Sequence, residues 1–505
     1  MTFVFPRTGI ARCLVLSAAM MVLLALGGCA GFYFRDAGPA PVIRHELAML
    51  PFSEYWTGIV FNGEKIGFTR FAIRPVPDSE HYEIRSEASF LLRFLGVEKK
   101  IHLKSLDVVE RDLTIVQFSY EYQIDGSELK VSGRREPGQL VAMVVNAGTA
   151  IEQRLPADGP LYPSSVIALY PPLHGLEQGR EHAYRVYSGE IQAIADVTQR
   201  ITAYENSDLF VGNAFKVETA MRGQRVTTWI GLDGQPVFEL ALHGAMISFL
   251  EDSGSATRYL ALASLNKKES LVDYSLVRPD RPIADPRTVS ALRISLHGVA
   301  LTPPSDAIQL CSALNGASTC EIKRTRHGPD PGAGMLLEPL RTRYLQPSVT
   351  VPSNDPSIRR LSEQIVAGSP STEDRITRIL QWLDANIEKA PHDVFSALDV
   401  LQQRKAECQG HAYLYAALAR AAGIPTRVVN GLVYSEQFDG FLYHSWTESL
   451  VSANWQAIDP TFGQTVADAT HLKLFEGEQL SDLLPLMDWV GKVKIRVLSV
   501  EHQKP

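Results

Sequence analysis

The sequence has no concentration of charge of either sign. Lys and Arg number 49 and Asp and Glu 56 among 505 residues, a formal net charge of -7, and no block of five like charges occurs. A nucleic-acid partner needs a concentrated basic surface, so that class is excluded, and no charged tail is present. No internal repeat of fixed period and no low-complexity tract occurs, which excludes solenoids and arrays. A Walker A glycine loop, a His-Glu-x-x-His helix and a dinucleotide glycine run are all missing, so no cofactor is expected. Cysteine is scarce, at five. What is present is an ordinary globular composition, 45% hydrophobic and 21% charged, on a chain long enough for about two to four domains.

The N-terminus is the most readable stretch. Arg7 and Arg12 flank the start of an apolar run from Cys13 to Leu26, and Leu26-Gly27-Gly28-Cys29 follows. A basic segment, an apolar segment and small residues at a cleavage point describe a secretory signal peptide over residues 1–28. The run falls short of the roughly 20 residues of a membrane span, although an uncleaved signal anchor stays open. The Leu-Gly-Gly-Cys ending resembles a bacterial lipobox. That resemblance implies that Cys29 becomes the first residue and carries lipid such as palmitate; a plain signal peptide with an incidental Cys is the alternative. Several acyl chains anchor a protein stably where one does not. By the same resemblance, Ala30 after the Cys favours the outer over the inner membrane. The chain is then expected on the periplasmic face of a bacterial cell envelope, held to the membrane through Cys29.

With Cys13 removed and Cys29 acylated, Cys311, Cys320 and Cys408 remain. Export implies an oxidising compartment. Cys311 and Cys320 flank the turn-rich Leu314-Asn315-Gly316 and can close a small disulfide loop, the alternative being two unpaired thiols. Cys408 is left over, and such a residue is either buried and inert or a nucleophile.

Residues 29–54, with Pro39, Pro41 and Pro51, read as a tether. Over 55–275 the signals are for strands. Asn62-Gly63, Asp125-Gly126 and Asp233-Gly234 are two-residue hairpin signals among β-branched and aromatic residues. They predict a large antiparallel meander curled over a core or a cavity, with a helical insertion near Ser164–Tyr170. This domain is either a scaffold or a binding surface for substrate or lipid. Pro279, Pro282 and Pro286 mark a boundary, and 276–352 reads as a small β module or linker with a few strands.

From about Asp355 the pattern turns helical. Ile376, Ile379, Leu380, Leu383 and Ile387 recur at helical spacing, with Thr372 and Asp374 placed to cap. Phe395, Leu398 and Leu401 predict a second helix. A third starts at or just before Cys408 and stops at Gly423. Strands are predicted at Thr426–Tyr434, Phe441–Leu450 and Trp455–Asp459. The tail, 471–505, should hold a short helix near Glu478–Leu484 and a last strand, Val493–Leu498.

Three residues in this second half carry chemistry. A thiolate is the reactive form of cysteine and needs positive charge beside it. A helix N-terminus supplies partial positive charge at Cys408. His444 can take the thiol proton and then stabilise the thiolate as imidazolium. Asp459 can fix the tautomer and orientation of that imidazole. If the chain folds back at Val451–Asn454, Asp459 returns alongside His444 within a residue or two. Alternation along a strand puts His444, Trp446 and Glu448 on one face. Taken singly, each residue has a bland role: a buried Cys, a satisfied strand His, a turn-starting Asp. Cys408 with His411 is also a conceivable metal pair, but no further Cys or His falls at ligand spacing. His411 is expected to pack or hydrogen-bond beside the site, Glu448 and Arg427 to support the hairpin, and Trp446 to form core or a pocket wall.

Taken in order, these blocks resemble a known family. Glu407-Cys408-Gln409-Gly410-His411-Ala412, Ala416 through Arg427, His444-Ser445-Trp446-Thr447-Glu448 and Trp455 through Asp459-Pro460-Thr461 are similar to the bacterial transglutaminase-like superfamily. The resemblance covers roughly 355–470. It implies an α+β, papain-related catalytic domain over 353–470, preceded by the large antiparallel β-rich domain. It also implies a catalytic triad of Cys408, His444 and Asp459 and acyl-transfer chemistry on protein or peptide amides through a thioester, with hydrolysis favoured over transamidation. A catalytically silent envelope binding or assembly module on the same fold is the alternative. The chain departs from the family in having Gln409-Gly410 after the Cys, and a glycine in the first turn weakens a helix start.

Overall fold

The computed structural model describes residues 33–61, 63–94, 97–256, 275–299, 302–314, 316–324, 333–452, 454–479, 482, 489 and 491–503. The expectations for the signal peptide, Cys29, Ala30, Asn62 and most of the helix near Glu478–Leu484 lie outside the described residues.

Alternation of inward and outward side chains drives the first half of the chain into sheet. In the strand Ser127–Glu136, Leu129 and Val131 are buried while Lys130 and Ser132 are exposed. Asp125 and Gly126 join it to Ile115–Ile124 with φ of +48° and +91°, the two positive values of a type I′ turn. Repetition of such hairpins builds one 16-stranded sheet. The chain starts in its middle at Glu54–Phe61 and steps outward to the edge strand Thr149–Pro156. It re-enters at the other edge, Tyr162–Pro163, and steps inward to Met246–Glu251, which pairs back on Glu54–Phe61. The two halves curl over each other. Phe71, Ile73 and Ile84 of the first share a core with Tyr184, Val186 and Val197 of the second. The insertion after Tyr162–Pro163 is a 3-10 turn, Ser164–Val166, and a one-turn helix, Tyr170–His174.

Residues 34–50 are not a free tether. Phe34–Asp36 pairs with the strand Ala193–Ser207, Phe34 stacks on Trp229 at 4.3 Å, and Ile43 bridges to Leu176. Burying these apolar groups holds the segment against the sheet despite its prolines.

The module after Pro279 is a four-stranded sheet whose last strand comes from the C-terminus. Lys494–His502 pairs with Val289–His297, so 276–352 and 471–505 are not separate units. Leu292, Ile294 and Val497 of this sheet share one core with Leu432, Phe441 and Leu472 of the next, which is why the tail returns. Cys311 and Cys320 face each other in the hairpin formed by Gln309–Leu314 and Ala317–Lys323, joined by a disulfide. A helix, Ala333–Leu345, follows where only strands were expected; Ala333, Leu336, Leu337 and Glu338 are strong helix formers.

The last part is a helical layer against a four-stranded antiparallel sheet. Asp355 caps Pro356–Val366, and Ser371 caps Thr372–Asn386, one residue ahead of the predicted cap. Ser396 and Asp399 form a capping box on Ala397–Gln403. The sheet runs in the order Asn454–Ile458, Gly440–Val451, Thr426–Ser435, Leu472–Glu476. Its fourth strand extends this domain past residue 470. Strand outweighs helix in the chain as a whole, so α+β describes the C-terminal domain and β-dominated describes the molecule. Among the described residues no helix is long and apolar enough to cross a membrane.

Candidate active site

The central helix, Cys408–Ala421, is buried almost throughout, with Leu414 and Leu418 in the core. Its N-cap, Glu407, makes no side-chain cap hydrogen bond, so that side chain satisfies none of the first-turn N–H groups at the positive end of the helix. Gly410 is required by packing. A Cβ there would sit 2.6 Å from the Ala406 Cβ and 2.9 Å from Val394 Cγ2. The glycine that weakens the helix in isolation lets its first turn approach the chain before it.

Cys408 stands at this helix start, half-buried and unpaired by disulfide. His444 lies on the strand Gly440–Val451, and the pairing of Thr447 with Ile458 brings Asp459 opposite Trp446, two residues from His444. His444 Nε2 donates to Asp459 Oδ2 at 2.9 Å. That leaves Nδ1 for the other side of the ring, and Cys408 is near enough to act on the imidazole. Asp459 Oδ1 accepts from the N–H groups of Thr461 at 2.7 Å and Phe462 at 3.1 Å.

Charge shapes this site. Burial alone would lower the pKa of His444, but the Asp459 carboxylate, and Cys408 beside it, raise it to about 9. Burial would raise Asp459, yet His444 and His471 hold it well below the usual carboxylate range.

His471 was missed by sequence reasoning. It sits in the turn before Leu472–Glu476, with no periodic pattern to single it out. Its Nε2 lies 2.9 Å from the same Asp459 Oδ2, and its Nδ1 lies 3.0 Å from the Asp468 carbonyl. His444, Asp459 and His471 thus place three donor atoms within 4.8 Å of one another. At 2.9 Å these are hydrogen-bond separations, and a metal would have to displace the protons that make them, so the cluster is a charge network.

The supporting residues take distinct places. Buried His411 has its Nδ1 3.0 Å from the Glu407 carbonyl one turn back. Trp446 is buried, its ring 6.2 Å from His444 and near-parallel to it. Glu448 pairs with Arg427 at 2.5 Å and Lys473 at 2.8 Å, tying three strands of the sheet together. Two contributors come from outside the domain. Arg287, just before the strand Val289–His297, donates to Asp468 Oδ2 at 2.6 Å and lies 4.1 Å over the Phe462 ring, which stacks on His444 at 5.1 Å. Lys99, from the β-rich region, is buried between Asp393 and Glu407. Neither had a signal in the local sequence.

Residues 359–460 match the model of the transglutaminase-like superfamily. Kyphoscoliosis peptidase of Mus musculus is 26% identical over 140 residues, 25% of this chain and 20% of that protein. The Homo sapiens protein of the same name is 26% identical over 110 residues, 19% of this chain and 16% of that protein. The match therefore spans a fifth or less of these relatives' length. A solved structure of a candidate cysteine protease from Cytophaga hutchinsonii aligns at TM-score 0.29 and 16% identity, covering 43% of this chain and 86% of that one; a score that low carries no fold assignment. The chain thus carries a transglutaminase-like domain near its C-terminus, preceded by a large antiparallel β-rich region.

Proposed function

We propose that this chain is a lipid-anchored cysteine enzyme of the bacterial envelope that cleaves or transfers amide acyl groups of proteins or peptides. One observation carries the reading: a thiol at a helix N-terminus acts on an imidazole that is hydrogen-bonded to a buried carboxylate. The Cys408 thiolate attacks the amide carbonyl carbon, forming a C–S bond and an oxyanion. First-turn N–H groups of the helix are the donors available to that oxyanion. His444 gives its Nδ1 proton to the nitrogen as the C–N bond breaks, leaving a thioester and a free amine. Water then attacks the thioester while His444 takes its proton, releasing the acid and restoring the thiol. An amine in place of water gives transamidation. The matched relatives are named peptidases, which favours hydrolysis. Asp459 keeps His444 in the tautomer that presents Nδ1 to sulfur.

The test is exposure of the purified full-length chain to a thiol-selective electrophile near neutral pH. Selective labelling of Cys408, lost in His444→Ala, is the expected result. An unreactive Cys408 overturns the enzyme and leaves a silent envelope binding or assembly module. The anchor is tested separately by feeding cells a palmitate analogue, whose incorporation should vanish in Cys29→Ala.

A further inference from the structure

We propose that His471 is a fixed, buried imidazolium that positions Asp459 and sets the pH range over which the Cys408–His444 pair is charged. The inference rests on reading that pair as thiolate and imidazolium. Every partner of His471 is an acceptor. Asp459 has four donors on its two oxygens, from Thr461, Phe462, His444 and His471, and so holds no proton of its own. His471 Nε2 must therefore donate to it. On the other side, Nδ1 faces a carbonyl oxygen, which also has no proton to give. A neutral ring could satisfy only one of these contacts and would aim a lone pair at the other. With its side chain 2% exposed, His471 has no solvent to relieve that clash.

The surrounding charges favour the cation. Asp459 lies on one side and Asp468 on the other, with Asp468 Oδ1 3.4 Å from Nδ1. Asp468 is itself ionised, accepting from Arg287, Gln464 and Thr470. Opposing cations are His444, whose ring centroid is 5.9 Å away, and Arg287, which acts through Asp468. His411, on the central helix, also interacts electrostatically with Asp459 and His444. Trp446 and Phe462 contribute neutral ring edges. Burial would lower the pKa of His471, and the two carboxylates raise it instead.

Removing this cation would leave the full Asp459 charge acting on His444, which would then hold its proton more tightly. The Cys408 thiolate would lose a nearby positive charge. Both titration steps of the pair therefore move to higher pH, by about one unit, when His471 becomes neutral. A role in packing alone would change stability and leave both steps in place.

The experiment is the rate of Cys408 alkylation by iodoacetamide across the pH range in the full-length chain and in His471→Gln, which keeps a neutral donor. Upward movement of both steps is expected. Unmoved steps in a folded variant overturn the inference. An unreactive Cys408 in the unaltered chain instead overturns the enzymatic reading itself. If the variant fails to fold, NMR of the unaltered chain with isotope-labelled histidine decides. Both nitrogens of a buried ring carrying protons at neutral pH beside Asp459 are expected, and a single N–H on that ring sinks the proposal.

Discussion

Lys99 reaches Glu407 across 308 positions of sequence, ending 3.3 Å from the residue that precedes the thiol. The same ammonium lies 2.6 Å from Asp393, so two half-buried carboxyls and one buried cation meet where the β-rich region touches the start of the Cys408 helix. Burial and Asp393 push the Glu407 carboxyl up, while Lys99 helps hold Asp393 ionised. Lys99→Met removes a buried cation from that contact and strands a carboxylate. A loss of about 3 kcal/mol is expected. The remaining carboxyls escape their charge by taking up protons, so the deficit should be larger at about pH 8 than at about pH 5. Urea unfolding of the full chain at the two pH values checks this. Equal stability to the unaltered protein at both would show that the contact is incidental.

Asp459→Asn should be more damaging than the loss of one charge suggests. An amide offers one acceptor oxygen where four donors now converge, and its NH2 faces N–H groups that it cannot serve. Under the proposed mechanism His444 then loses the tautomer that presents Nδ1 to sulfur, a defect of about four orders of magnitude in a Ser-His-Asp triad. Turnover, once a substrate is found, should fall by a similar factor, and thiol alkylation at neutral pH should fall with it. Alkylation that is unchanged would mean that Asp459 is not coupled to the thiol.

The two histidines and two aspartates also predict the pH dependence of folding. His444 and His471 both rise from their ordinary value of 6.5 to about 9. A raised pKa in the folded state contributes stability that is complete below about pH 6.5 and is lost as pH climbs through about 9. Asp459 and Asp468 are depressed, so their contribution is present above their ordinary 3.8 and is lost as pH falls through their folded values. The denaturation midpoint should therefore be highest between these limits and fall on both sides. In Asp459→Asn the alkaline fall should flatten, because both imidazoles lose the carboxylate they share and His471 keeps only Asp468. A midpoint that rises with pH through 9 contradicts the assignment of both rings.

The legible parts of the molecule were those written in local pattern. Alternation and Asp125-Gly126 announced the meander, and helical spacing from Ile376 to Ile387 announced the helix that packs against the Cys408 helix. Cys408, His444 and Asp459 could be grouped because two turns and one strand register link them over a short stretch. His471, Arg287 and Lys99 could not. Each reaches the site through a long-range packing choice: a loop return after Asp459, a strand exchanged with the C-terminus, a hairpin from the β-rich region. No periodicity records such choices. Proline content misled at Pro39 and Pro41, because Phe34 on Trp229 decides where that segment lies.

Phe462 offers a prediction of opposite sign to that for His471. Its ring lies near-parallel to His444, at 13° and 5.1 Å, and Arg287 covers its other face at 4.1 Å. An aromatic face attracts a cation, so Phe462 favours the imidazolium form of His444 over the neutral ring. Replacing it by Leu keeps an apolar side chain and removes the π face. A loss of about 0.5–1 kcal/mol of that preference corresponds to roughly half a pH unit. The alkaline step of Cys408 alkylation should move down by that amount in Phe462→Leu, where His471→Gln moves it up. Because Phe462 is 42% exposed, overall stability should change little, so the shift can be read on a folded protein. An alkaline step that rises in both variants would mean that Phe462 acts on His444 by shielding it from water, and the stacked-cation account would fail.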